Sequence, residues 1–558
     1  MNFAHMSAWY KQSSLKLQLR LALFLVPFLA MLTSQSALGQ GFQMTKINVS
    51  GNVSGTFPNA LNKSQAVVGD YTNSSGAVVG FLYAKGKYTS LTFPGSDNFT
   101  RAVGINDSGE IVGDFFGSDG DYHGYTYVNG TYTQFDVDKG KASTSLFGIN
   151  NAEDLVGVAN PNGGVEGFTD IGGNVVEFYA SGTDATYAYS INSSDEVVGQ
   201  YFDASGNSHG FYRDASGNIT EIAYPGANQT GCFGINDSGE ITGYYVDSSG
   251  NSHGFSDVKG KFATNDFPST TGVNSKGAYV GYYVGPDGAV FGYLASPQAF
   301  KLSEVKISQE QQGFLYEVNE AGVMVGNYVT STGTPHGMMI TAGKVKNVDD
   351  PKGTTTCLGI NSSNVIVGFY LDSASNPHGF QYKAGKFTDI PGPTGATSSE
   401  ASGINDAGEI AGEFSDSAGN NHGFVLKGGK YTQLDVPGAT ASFGWGINKA
   451  GEVTMQWYDS NGYLESSLYN GKKYSTINVP GALFTGVHSI NTAGDIVFSW
   501  EDLYGIQHGA LKKGSSYFIF DYPKSSNTGA EGINDSGLLV GHYLPAGQNN
   551  PQPYKGTE

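Results

Sequence analysis

The chain has 558 residues, with 50 Asp and Glu against 30 Lys and Arg, a formal charge of −20 and only 14% charged residues in all. That balance excludes a nucleic-acid or other phosphate-rich partner, because such binding rests on clustered Lys and Arg that displace counterions. Its 81 glycines, 34 tyrosines and 33 phenylalanines, beside two cysteines, exclude a disulfide scaffold and describe short strands, tight turns and half-buried aromatic faces.

Residues 1–39 read as a signal peptide. Lys11, Lys16 and Arg20 form a basic lead-in, Leu21 to Leu32 is apolar, and Ala37-Leu38-Gly39 offers the small residues of a cleavage site. Twelve apolar residues broken by Pro27 fall short of the roughly 20 that span a bilayer. The expectation is a secreted, extracellular protein beginning near Gln40 with no membrane anchor.

From there a phrase returns twelve times, clearest as Gly234-Ile235-Asn236-Asp237-Ser238-Gly239-Glu240-Ile241-Thr242-Gly243, with its asparagine at 62, 106, 150, 192, 236, 274, 319, 361, 405, 448, 491 and 534. Steps of 38 to 45 residues match one four-stranded propeller blade. In repeat five the strands are expected at Phe233 to Asn236, Glu240 to Val246, from His253 onward, and Phe262 to Phe267 before Pro268. Four antiparallel strands that each bury one face need neighbours on both sides, which a closed ring supplies.

Residues 43 to 51 look like a fourth strand without its first three, and the last repeat stops at Tyr554 before its own fourth strand, so that one terminus completes the other. The same split recurs at mid-chain, where repeat six runs through Ser296-Pro297-Gln298 into a strand candidate from Ala299 to Ile307. The prediction is an all-β protein of two tandem six-bladed β-propellers, 40–296 for repeats one to six and 297–558 for repeats seven to twelve. One twelve-bladed ring and an uneven split are the alternatives.

The repeat phrase is joined by His-Gly-Phe at 209–211, 253–255, 378–380 and 422–424, and by the close copies His123-Gly124-Tyr125, His336-Gly337-Met338 and His508-Gly509-Ala510. This pairing resembles the extracellular HAF-repeat proteins of bacteria, over essentially all of 42 to 556. Glycine stands here where that family has alanine. The resemblance implies an extracellular bacterial setting and carries over no catalytic residue.

Seven histidines at one repeat position invite a metal. Equivalent positions of successive blades lie too far apart to share an ion at bonds of about 2.0 to 2.1 Å, so each imidazole is expected to hold a turn. Asp119-Gly120-Asp121 and Asp136-Val137-Asp138 alternate carboxylates as calcium loops do, but neither continues into a known calcium motif. No cofactor is called for, with calcium the one ion left open. Cys232 and Cys357 each lie four residues before a repeat asparagine, in a small apolar slot, and read as buried thiols. Glu110, Glu240 and Glu409 recur at a turn and read as solvated strand-start residues.

The pattern breaks most in repeats ten and eleven. The strand glycine becomes Met455 and Phe498, and Trp457 and Trp500 follow at one repeat position. With Trp445 and Tyr458 they are the candidate ligand-binding residues, since aromatic faces stack on sugar rings; core filling is the competing role. His488 and His542 stand outside the histidine phrase. The functional expectation is a secreted binding or structural module for carbohydrate or for cell-surface or matrix ligands. The alternative is an extracellular propeller enzyme, a lyase or hydrolase of polysaccharide. Fold alone does not choose between them.

Overall fold

The computed structural model describes residues 40–558 apart from 138–142, 161–163, 181–184, 266–268, 285–288, 308–309, 480–481 and 503–504. The expected signal peptide, Asp138, Phe267 and Pro268 lie outside the described residues. Among those described, the strands form antiparallel sheets of four, with one sheet of eight. This is the all-β blade architecture that the repeat length predicts.

In repeat five the strands are Gln229–Ile235, Glu240–Val246, Ser252–Val258 and Lys261–Asn265. The first begins well before the predicted Phe233, because Gln229 to Cys232 already pair with Val246 to Gly243 before the register slips between Cys232 and Gly234. That slip is a β-bulge. It sits beside a tight approach: a Cβ on Gly243 would stand 1.9 Å from the Gly231 carbonyl oxygen, so most repeats keep glycine there. Repeats ten and eleven tolerate Met455 and Phe498 by widening the irregularity, from Gly444 to Ile447 and from Val487 to Ile490. Both side chains are fully buried.

The repeat asparagine works with both ends of its amide. Asn236 Oδ1 accepts the backbone N–H groups of Ser238 and Glu240, both at 3.0 Å, closing its own turn. Its Nδ2 donates to the Asn274 carbonyl of the next repeat at 3.0 Å. Aspartate has no N–H to give, which is why this position is asparagine. These donations close two circuits. Asn62, Asn106, Asn150, Asn192, Asn236 and Asn274 each bond the next, and Asn274 returns to Asn62. Asn319, Asn361, Asn405, Asn448, Asn491 and Asn534 do the same, with Asn534 returning to Asn319. The neighbouring glutamates are not simply solvated as expected. Glu240 accepts from Asn236 Nδ2 and from the Tyr279 hydroxyl of the next repeat, and Glu409 accepts from Asn405 and pairs with Lys427.

The chain ends pair differently from the simplest expectation. The N-terminal strand Gln40–Ile47 does not complete the last repeat; it pairs along its length with Val290–Ala299 of repeat six. The last strand, Gln552–Thr557, is completed instead by Lys301–Glu304. The expected boundary between 296 and 297 falls inside the strand Val290–Ala299. The outer edge of Gln40–Ile47 also pairs with Ser516–Phe520 of repeat eleven, through Phe42 and Ile519, Gln43 and Phe518, and Met44 and Tyr517, which makes the sheet of eight.

Apolar clusters lie between neighbouring sheets, as where Val198 and Ile222 of repeat four meet Cys232, Ile235 and Phe255 of repeat five. Cys232 and Cys357 are free thiols buried in separate clusters, and burial pushes both thiol pKa values up.

Candidate functional site

The repeated histidines each clamp a hairpin. Asp247 Oδ1 accepts the backbone N–H groups of Ser249 and Asn251 at 2.8 Å, and its Oδ2 takes His253 Nε2 at 3.1 Å. Where a carboxylate ends the fourth strand, the other ring nitrogen reaches it, as in His123 to Asp136 at 2.8 Å and His422 to Asp435 at 2.9 Å. Each imidazole also lies against an aromatic ring of the second strand, among them Phe115 on His123, Tyr245 on His253 and Tyr370 on His378. The Asp119 and Asp121 carboxylates engage His123 and Ser143, and among the described residues no group of three or more His, Cys, Asp or Glu is arranged to hold a metal ion.

That arrangement explains the tryptophans. Trp500 occupies the aromatic position under His508, with ring centroids 4.5 Å apart, and is only 3% exposed. The expected stacking face at Trp500 is therefore taken up by the protein's own imidazole. Repeat ten has no such histidine: Glu465 stands opposite Trp457 where His422 stands opposite Phe414 in repeat nine. The fourth strand there, Tyr474–Thr476, is also short. Without the imidazole, Trp457 lines an open cavity of about 500 Å³ with Pro437, Ser467, Lys472, Lys473 and Tyr474, its Nε1 donating to Ser467 Oγ at 3.0 Å. Tyr458 packs edge-on against Phe443, away from that lining.

Trp445 points elsewhere, into the interior of the second asparagine circuit. The residues three before each asparagine of that circuit are Tyr316, Leu358, Ser402, Trp445, His488 and Glu531, and all six line one small cavity of about 20 Å³ with Glu317 and Ser489. Glu531 lies between two imidazoles, 3.1 Å from His488 Nδ1 and 3.4 Å from His542 Nδ1. These are ion-pair separations, but neither nitrogen meets hydrogen-bonding angles. Burial lowers His488 to about 3 and His542 to about 4, and raises Glu531 to about 7, so between about pH 4 and 7 the trio is neutral rather than a salt bridge. Glu317 reaches Ser489 Oγ at 2.6 Å and is pushed by burial up to about 8. One strand level deeper, Glu400 faces Glu413, and burial raises both, Glu413 further because Glu400 is beside it. His488 and His542 stood out in the sequence. The glutamates did not, although reading the third residue before each asparagine exposes Glu531.

The first circuit has a self-sufficient interior. Arg101 grips Asp114 with two hydrogen bonds of 2.9 and 2.6 Å, Asn59 bonds Asp70 at 3.0 Å, and Gln200 donates to the Tyr189 hydroxyl at 3.0 Å.

These ionisations set a pH profile. Although burial alone would lower them, carboxylate bonds raise His123, His209 and His422 above the ordinary 6.5, and the stability they add is present below that value and lost as pH rises through the folded values. The raised Glu317 and Glu531 act in the same direction, because the folded chain holds their protons more tightly than the unfolded chain does from 4.5 upward. Hydrogen bonds from Asn207 and Asn420 lower Asp203 and Asp416 to about 2, which adds stability above 3.8 that is lost on acidification. The lowered His488 and His542 work the other way, adding stability above 6.5 that is lost as pH falls towards their folded values. Thermal melting monitored by circular dichroism is expected to peak between pH 4 and 7 and fall on both sides, towards pH 2 and pH 8. A maximum at pH 8 contradicts this assignment.

No family model matches the chain, and no curated protein matches it. Solved structures with similarity include a putative TolB from Agrobacterium tumefaciens (8% identity, 46% of this chain and 98% of that one, TM-score 0.35). A gluconolactonase from Xanthomonas campestris shows 11% identity over 46% of this chain and 90% of its own, with a TM-score of 0.31. A mutant Aleuria aurantia lectin in complex with Fucα1-6GlcNAc shows 13% identity over 56% of this chain and 95% of its own, with a TM-score of 0.27. The HAF-repeat resemblance rests on its phrases alone.

Proposed function

We propose that the protein is a secreted binding module of two tandem six-bladed propellers, 40–299 and 300–558, that holds carbohydrate at the Trp457 cavity. The two asparagine circuits of six, with one strand completing repeat six and another completing repeat twelve, support the partition. The observation that carries the ligand class is the cavity: an indole and the Tyr474 ring beside a hydroxyl and two lysine ammonium groups, at the place where a repeat has lost its histidine. Aromatic faces with a few polar groups suit a sugar's apolar face and hydroxyl rim.

The test is a glycan array probed with the chain from Gln40 and with Trp457→Ala. Retention of a glycan class by the parent and at least a tenfold loss in the folded variant is expected. A parent that retains nothing overturns the reading. An extracellular enzyme acting on polysaccharide is the second reading, favoured by Glu531 between two imidazoles, and release of reducing ends by the purified chain is its assay.

A further inference from the structure

At the Trp457 cavity the chain reverses its own charge balance. The sequence carries 50 Asp and Glu against 30 Lys and Arg, yet the cavity lining holds Lys472 and Lys473 and no Asp or Glu. The cavities of the second circuit have the opposite character. The one of about 20 Å³ is lined by Glu317 and Glu531, and another of about 80 Å³, at the asparagine face, sets Glu317, Glu320, Asp406 and Asp535 against Lys449 alone.

The lysines come from a change of turn. In repeats seven, eight and nine the hairpin between the third and fourth strands has a left-handed glycine at the second place of its turn, Gly343, Gly385 and Gly429. In repeat ten the glycine stands one place earlier, as Gly471 with φ 85°, and Lys472 takes the second place. Asn470 Oδ1 accepts the backbone N–H groups of Lys472 at 3.2 Å and of Lys473 at 3.1 Å, which fixes the backbone of both beside the cavity. Their charges are not consumed by the protein. The other adjacent lysine pair of the sequence is Lys512-Lys513, where Lys512 Nζ donates to the Gly514 carbonyl and Lys513 pairs with Glu558. Lys427 in the same turn of repeat nine pairs with Glu409. Among the described residues no carboxylate lies within ion-pair distance of Lys472 or Lys473. Asp435, which precedes the lining residue Val436, is already engaged with His422 Nδ1 at 2.9 Å and Gln433 Nε2 at 2.6 Å.

The ring faces, by contrast, are held in place. Trp457 Nε1 is committed to Ser467, and Tyr469 braces Tyr474 with ring centroids 4.9 Å apart. A volume of about 500 Å³ lies within the range of about 300 to 1,000 Å³ typical of small-molecule sites. Aromatic faces alone accept any sugar that has an apolar face. Two ammonium groups beside them discriminate, because charge-assisted hydrogen bonds to an anionic oxygen are shorter and about twice as strong as neutral ones. The chain's charge of −20 opposes an anion at a distance, but at physiological ionic strength charges beyond about 8 Å are largely screened, while the lysines meet the ligand in contact.

We propose that the Trp457 cavity selects acidic carbohydrate, a sugar bearing a carboxylate or sulfate, with its apolar face on Trp457 and Tyr474 and its anionic group against Lys472 and Lys473. This rests on the carbohydrate reading of the same cavity and adds the charge of the ligand.

A glycan array carrying neutral, uronate-containing and sulfated glycans, probed with the chain from Gln40, tests the two separately. Retention concentrated on the acidic glycans is expected. The best-retained glycan is then titrated calorimetrically beside its neutralised form, the methyl ester of a uronate or the desulfated sugar, which tells the two anionic groups apart. The neutral form should bind at least tenfold more weakly. A chain with both Lys472→Gln and Lys473→Gln, which keeps the fold because both side chains are exposed, should lose at least tenfold for the acidic glycan and less than about twofold for the neutral one, whereas Trp457→Ala loses both. Neutral glycans retained as strongly as acidic ones, or an acidic glycan bound equally by the double Gln variant and the parent, overturn the charge preference and leave the carbohydrate reading standing. Retention of no glycan of any class overturns the carbohydrate reading and this proposal with it.

Discussion

Removing residues 40–47 is expected to cost most of the stability of the fold. This strand hydrogen-bonds on both edges, to Val290–Ala299 and to Ser516–Phe520. It buries Phe42, Met44 and Ile47 at 6%, 5% and 0% exposure. At roughly 1.5 to 3 kcal/mol for each large apolar side chain withdrawn from water, the three contribute roughly 5 to 9 kcal/mol, which is comparable with the whole margin of a typical domain. The truncated chain also leaves two sheet edges open to pairing with other copies. Denaturant unfolding and light scattering check this: the midpoint should fall sharply and soluble aggregates should appear. A truncated chain that stays monomeric and unfolds at the parental midpoint refutes the pairing.

Trp500→Ala is expected to destabilise by about 3 to 5 kcal/mol, the usual cost of truncating a buried aromatic. Trp500 belongs to the same apolar cluster as Phe42, Met44, Phe498 and Ile519, so the cavity it leaves opens beside the shared strand. It also removes the ring on which His508 stacks. Trp457→Ala should cost clearly less than Trp500→Ala, because that ring is only partly buried against its cluster and lies along an open cavity. Urea titrations of the two variants check the contrast; equal losses would mean that the absent histidine of repeat ten has no structural consequence.

Much of the architecture was legible because each repeat states it again. The period, the turn glycines and the strand faces all point to one four-stranded unit, and twelve copies average out local ambiguity. What escaped were features that need two repeats at once. Nothing within Gly234 to Glu240 tells that Asn236 donates to Asn274, because a turn-closing asparagine looks the same with or without that bond. The bulge at Cys232 was missed for a related reason: strand periodicity locates faces but does not count paired residues. Trp457 and Trp500 shared a position and so were grouped, yet the residue across the strand, Glu465 in one and His508 in the other, separates an open indole from a covered one. The interior glutamates were hidden because they come from different repeats and converge only once the circuit closes.

The pairing of residues 40–47 also orders events in time. This segment is made before every repeat, but its partner Val290–Ala299 comes some 250 residues later and Ser516–Phe520 later still. Contacts of such sequence separation form slowly and expose strand edges meanwhile. The earliest strand to emerge thus waits for partners made much later, and repeats six and eleven share it, one on each edge. A lesion that displaces this strand from repeat six should therefore be felt in repeat eleven, although more than 200 residues separate them along the chain.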